Sequence, residues 1–290
     1  YNETKQTKLD KRSILYSTIG FGMMLYAFSS AGSLGFGNPI IIGTLIVSLI
    51  IILIFVRRQL TISNPLLNLK VFKTRTFCFS TITSMIVMMS MVGPALLIPL
   101  YVQNALALSA LLSGLVIMPG AIINGLMSVF TGSFYDKYGP RPLIISGFTI
   151  LTICTFLLCF LKADTSYMYL IIIYAIRMFA VSLLMMPINT AGINALENKN
   201  ISHGTAIMNF GRVMAGSLGT ALMVTFMSMG SKWLGSTIAT SGSKEMIQRQ
   251  TVAAGVDVSF ALVTLFVVVA FSFALFIKEP RNKNKNIREV

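Results

Sequence analysis

Charge is what this sequence has least of. Only 11% of its 290 residues are Asp, Glu, Lys or Arg, against 55% that are apolar. A soluble domain carries about one charged residue in four, so the soluble classes are excluded. The few charges are also clustered. None falls between Ser13 and Val56, and none between Thr76 and Tyr135. One helix needs about 20 residues to cross a ~30 Å hydrocarbon core, so each stretch holds two spans. The alternation of apolar and polar residues that marks barrel strands is missing, and open strands leave unpaired backbone groups in lipid. The expected fold class is an all-α polytopic membrane protein of eight transmembrane helices.

Other scarcities narrow the function. The three cysteines, Cys78, Cys154 and Cys159, are an odd number without ligand spacing. They support neither a disulfide framework nor a metal site, and no cofactor is expected. They are read as small packing hydrophobes. His203 is the one histidine and is read as a loop residue at the start of a span. The nine acids, Glu3, Asp10, Asp136, Asp164, Glu197, Glu245, Asp257, Glu279 and Glu289, are all expected in loops, in tails or at span ends. An intramembrane enzyme would need an embedded acid, histidine or paired cysteine nucleophile, so an enzyme is not expected. The first twelve residues are too polar for a signal peptide. The start at Tyr1 rather than Met is read as a chain entered in mid-sequence, the C-terminal part of something longer.

What is present is a run of apolar segments. Spans are expected at roughly 14–31, 39–56, 77–102, 109–134, 143–161, 167–194, 204–230 and 258–277. Gly32 to Pro39 supplies the turn chemistry between the first two. With the N-terminus placed in the cytoplasm, four of the 23 basic residues face outward: Lys162, Lys232, Lys244 and Arg249. Arg177 and Arg212 lie within spans, and the other 17 face inward. That asymmetry predicts a multi-pass protein of the cell membrane with both termini cytoplasmic. The net charge of +14 is then explained by topology and the anionic lipid bilayer, and no nucleic acid is expected as a partner. The inward segment 57–76 mixes Leu60, Leu66, Leu67, Leu69, Val71 and Phe72 with basic residues. It is either a basic amphipathic loop on the membrane surface or a solvated linker.

Several residues stand out as functional candidates. The connection Gly132-Ser133-Phe134-Tyr135-Asp136-Lys137-Tyr138-Gly139-Pro140-Arg141-Pro142-Leu143 joins spans 4 and 5 with little slack. Gly132 permits close helix approach, Gly139 accepts a positive φ, and Pro140 and Pro142 suit a first helical turn. Asp136, Lys137 and Arg141 can hold one closed arrangement of the cytoplasmic ends, unless this is only a tight connection with charged anchors. Arg177 and Arg212 sit mid-span, where a charge costs at least ~2.5 kcal/mol and cannot face lipid. Each is either a cavity wall or an interior arginine bonded to carbonyls freed at helix kinks. Asn189 and Asn209 are cavity lining or interhelical hydrogen bonds. Met118 and Met186 are among methionines suited to a pocket that repacks around varied apolar ligands, or are ordinary core. Helix interruptions are expected at Gly93, Pro94, Pro99, Pro119 and Pro187.

The connection 132–143 resembles the G-x-L-a-D-r-x-G-x-r loop motif of the major facilitator superfamily, with Ser133 and Phe134 as departures. Asn64-Pro65-Leu66-Leu67-Asn68-Leu69, Leu100-Tyr101-Val102-Gln103 and Met118-Pro119-Gly120 resemble its fourteen-span drug:proton antiporters. Arg177, the stretch Met185 to Leu196, Ser202-His203-Gly204-Thr205-Ala206 and Asn209-x-x-Arg212 are similar to the branch with lincomycin-resistance exporters, although Val213 departs from its usual Gln. The resemblance implies two linker spans (13–56), a six-helix domain of 3+3 inverted repeats (77–278) and a basic tail (279–290). It also implies an absent N-terminal six-helix half carrying the acid that couples protons to export of hydrophobic small-molecule drugs by alternating access. The alternative is a truncated, non-transporting subunit or a half-transporter that needs a partner half.

Overall fold

The structure, a computed structural model, describes residues 10–62, 65–238 and 244–277, without the side chains of 234–238. Among them are eight helices long and apolar enough to cross a membrane. They are α1 (Lys11–Leu34), α2 (Pro39–Thr61), α3 (Arg75–Asn104), α4 (Ala110–Tyr138), α5 (Pro140–Leu157), α6 (Tyr167–Asn194), α7 (Ile201–Ile238) and α8 (Lys244–Ala274). Local chemistry sets their ends. Asp10, Asn38 and Ser109 cap α1, α2 and α4 by accepting from the amides of Arg12, Ile40 and Leu112. Gly35 closes α1 at φ 81°, a region closed to most side chains.

Three sequence expectations change. First, α8 begins at Lys244 rather than near 258, and α7 runs on to Ile238 rather than 230. The charged residues there suggest a loop, but charge is kept out of hydrocarbon, not out of helices. The 38 residues of α7 span ~57 Å at 1.5 Å each, well beyond the ~30 Å core. Second, α3, α4 and α6 run unbroken through Pro94, Pro99, Pro119 and Pro187, and Gly93 lies inside α3. Neighbouring helices hold these prolines in line. Third, the segment after α2 is held to the bundle through part of its length. It folds into a short 3-10 turn, Leu69–Lys73, whose Val71 is buried beside Phe77, Leu196 and Ile207. Arg58 grips Asp10 with two bonds of 2.8 and 3.1 Å. Gln59 donates to Ser13 Oγ and accepts from the Leu67 amide, and Asn68 donates to Asn200 at 2.9 Å. The expected basic tail, 279–290, lies outside the described residues.

The packing follows a recurrent scheme. α3 packs on α7 and α8, α6 packs on α4 and α5, and α3 and α6 meet at the centre. Exchanging α3, α4 and α5 for α6, α7 and α8 leaves these pairings unchanged. Close crossings use small residues. A Cβ on Gly255 of α8 would stand 2.3 Å from the Met227 carbonyl of α7. The α1–α2 hairpin leans on α7, while α2 presents Ile40, Ile46, Leu49, Ile50 and Leu53 outward.

Candidate functional site

Between α3, α4, α6 and α7 lies a cavity of about 690 Å³, within the ~300–1,000 Å³ of small-molecule pockets. Helical spacing builds its walls. Ser182, Met185, Met186 and Asn189 recur on one face of α6, Asn124 and Ser128 on α4, and Asn209 with Arg212 and Val213 on α7. Met88 and Met91 come from α3. Methionine carries no hydrogen-bonding demand and adapts its shape, so this wall fits apolar surfaces of many outlines.

Arg212 is the charged group of the lining, and its guanidinium donates to the Asn209 Oδ1 one turn earlier. That bond orients the fork while leaving further donors for an acceptor in the cavity. Ser84 Oγ donates to Asn189 Oδ1 at 3.3 Å, and Asn124 Nδ2 donates to the Met178 carbonyl at 3.1 Å. Both asparagines therefore join two helices and line the cavity. The arrangement can hold an apolar molecule carrying a polar or anionic acceptor.

Of the six cavity candidates, the structure brings together Arg212, Asn209, Asn189 and Met186. It places two elsewhere. Met118 stands in an exposed row on α4 with Leu111, Leu115, Ile122 and Leu126, outside the lining because it points off the packed face. Arg177 is fully buried between α3, α5 and α6. One terminal nitrogen donates to the Ser90 carbonyl and, at 2.9 Å, to Ser90 Oγ. Nε reaches Thr155 Oγ1 at 3.4 Å, and the other terminal nitrogen has no partner. Ser128 and Ser182, also in the lining, were not picked out from sequence. Their one-turn spacing from Asn124 and Met186 was the available signal.

The α4–α5 connection is as tight as its residues imply. Gly139 adopts φ 78°, its amide donates to the Tyr135 carbonyl at 2.8 Å, and Pro140 opens α5 at once. Gly132 faces Met186, whose Cε would lie 3.6 Å from an added Cβ. Asp136 is exposed and outside the described ion pairs, which are Asp10–Arg58 and Glu197–Lys199. In each of those pairs the cation holds the carboxyl below its ordinary range. Lys137 Nζ sits 5.2 Å over the Tyr138 ring. Arg141 borders the crevice at the end of α8 beside Ala274 and Leu275, where a cation suits the helix dipole.

A second cavity, about 700 Å³, lies at the far end of the bundle, lined by Lys162, Asp164, Arg249, Gln250 and Asp257 among others. Asp257, expected at a span end, is inside α8, where its Oδ1 accepts the Leu161 amide at 2.9 Å. Among the described residues no group of three or more His, Cys, Asp or Glu could hold a metal ion.

The family model described as Major Facilitator Superfamily matches residues 12–220. The chain is 40% identical over 274 residues to the lincomycin resistance protein LmrB of Listeria innocua, covering 94% of this chain and 58% of that protein. It is 38% identical over 282 residues to LmrB of Bacillus subtilis, covering 97% and 59%. Against the multidrug export protein EmrB of Escherichia coli K12 it is 25% identical over 224 residues, 77% of this chain and 44% of that protein. The chain thus spans less than three fifths of the length of the LmrB relatives.

Proposed function

The chain belongs to the major facilitator superfamily, and from that premise we propose that it is the C-terminal part of a fourteen-span, proton-coupled multidrug exporter of the plasma membrane. In this reading α1 and α2 are linker spans, and α3–α8 form a six-helix domain of two inverted three-helix repeats. The matched packing of α3 on α7 and α8 and of α6 on α4 and α5 supports that division, and the one-sided distribution of basic residues supports cytoplasmic termini. The observation that carries the function is the mid-span cavity, where methionines, asparagines and Arg212 meet on four helices. Sites between repeats near the bilayer midplane are where such transporters hold substrate. The names of its LmrB and EmrB relatives support drugs as the substrate class.

Transport follows from rocking of this domain against a further six-helix unit across the cavity, with the drug seated on the methionine wall and Arg212 facing its acceptor. The α4–α5 connection closes the cytoplasmic side, and Asp136, Lys137 and Arg141 stabilise that closure. The titratable group that couples protons to drug movement lies on the further unit. Arginine stays protonated, so Arg212 supplies charge rather than a proton.

The test is reconstitution of residues 1–290 in lipid vesicles under an imposed pH gradient, with a fluorescent lipophilic drug. No uptake is expected until an N-terminal six-span unit from an LmrB relative is co-reconstituted. Uptake by the 290-residue chain alone would overturn the half-domain reading. Absence of uptake with the added unit would favour a non-transporting subunit.

A further inference from the structure

α8 carries Arg249 and Asp257 two turns apart on one side. Arg249 Nε donates to the Ala105 carbonyl at the end of α3, at 2.7 Å, and a terminal nitrogen donates to the Ala163 carbonyl at 3.3 Å. Asp257 accepts the Leu161 amide at 2.9 Å. Tyr101 of α3 donates to the Lys162 carbonyl at 2.5 Å. One short segment, 158–166, therefore gathers the ends of α3, α5, α6 and α8. The cavity of about 700 Å³ beside it has Asp257 in its wall.

We propose that Asp257 is a proton-operated latch of the outer face, pinning α8 to the turn at Leu161 while ionised and loosening that hold when protonated from outside, with Arg249 left as the tie to Ala163. The inference rests on the membrane orientation proposed above, and not on drug transport. An ionised carboxylate is a stronger acceptor for an amide than a neutral carboxyl, so the proton acts on the one bond joining α8 to the turn through this side chain. The cavity supplies the route for that proton.

The surrounding charges leave Asp257 to act by itself. Arg249, on its own helix, is committed to two carbonyls. Lys162 and Asp164 face the cavity from the segment and are exposed. Cys159, before the turn, contacts Thr264 through sulfur at 3.5 Å, and Tyr101 is spent on Lys162. α7, packed along α8, brings Lys232, which is exposed near its outer end. None of these cations is within ion-pair distance of Asp257.

The test uses the 290-residue chain in lipid nanodiscs, with Cys78, Cys154 and Cys159 replaced by Ser and spin labels at Lys162→Cys and Lys244→Cys. Pulsed electron resonance then reads the distance between the α5–α6 segment and the start of α8. As the pH is lowered from about 8 through the carboxylate range near ~3.9, the ratio of long to short distances should rise on the order of tenfold. That is the shift expected when proton affinity differs by about one unit between the two arrangements. Asp257→Asn should show the long-distance fraction at every pH, and Asp164→Asn should behave as the parent. Asp257→Glu, which keeps a carboxylate, should retain a transition. A flat profile in the parent, a transition surviving in Asp257→Asn, or its loss in Asp164→Asn or Asp257→Glu would overturn the latch. No drug is moved in this experiment, so its failure and a failure of the exporter reading are separate results.

Discussion

Arg177 donates to the carbonyl of Ser90, the one that Pro94, four residues later, leaves without a helical amide. Proline removes the i→i−4 bond wherever it enters a helix, and an unpaired carbonyl in the bilayer interior is costly. The guanidinium of α6 fills that vacancy on α3 while its own charge stays away from lipid. Two sequence features that each look unfavourable in a membrane, a proline in α3 and an arginine in α6, satisfy each other.

The pairing makes a double-mutant prediction. Arg177→Met should cost about 1–3 kcal/mol, the penalty of a buried group left without its partner. In a Pro94→Ala background residue 94 regains an amide for Ser90, so the same substitution should cost less, with a coupling of about 0.5–3 kcal/mol. Reversible unfolding in mixed micelles measures both. Equal costs in the two backgrounds would show that the arginine and the proline act independently.

Hydropathy assigned both arginines the same cost and could not tell them apart. Arg212 and Asn209 share one helix face, so spacing within α7 sets them side by side but leaves open whether they line a cavity. The role of Arg177 depends on residues of α3 and α5, and no pattern within α6 reveals that neighbour. The start of α8 is hidden from the sequence for a different reason. Charged residues between Lys232 and Asp257 mark where hydrocarbon ends, and the helices continue past that point.

Arg212→Lys keeps the charge and loses the planar fork of donors. In a complete exporter assembled with an N-terminal unit, it should insert at parental levels and lower drug efflux by roughly tenfold, one lost hydrogen bond to a charged group. Asn209→Ala should reduce efflux less, since it frees the guanidinium without removing it. Fluorescent-drug efflux from cells, normalised to membrane content, decides the order of the two.

Gly255→Leu should destabilise the bundle by about 1–3 kcal/mol through overpacking. Its first side-chain atom already meets the Met227 carbonyl and Ser231 Oγ, each at 2.3 Å. Gly114, with nothing within 4 Å of an added Cβ, should tolerate the same change. Melting temperatures of the two purified variants separate these outcomes.

The Asp10–Arg58 pair predicts an acid-sensitive hairpin. Arg58 holds the Asp10 carboxyl below its ordinary range, so the pair's contribution is complete above the carboxylate's ordinary value near ~3.9. It is lost as pH falls from there through the lowered value. Asp10→Asn should flatten this part of the stability profile. An unchanged profile below about pH 4 would show that the contact does not couple to folding.

The Asn68–Asn200 bond spans 132 residues of sequence, and it has a consequence for how the protein is made. A chain is synthesised from its N-terminal end, so Asn68 and Val71 emerge well before the residues that cover them. Leu196, Asn200 and Ile207 reach that side only after α3, α4, α5 and α6 have all been threaded through the bilayer. An odd number of crossings would leave them on the opposite side. The apolar patch of the strap between α2 and α3 is thus covered only once four later crossings have returned the chain to the side from which it left.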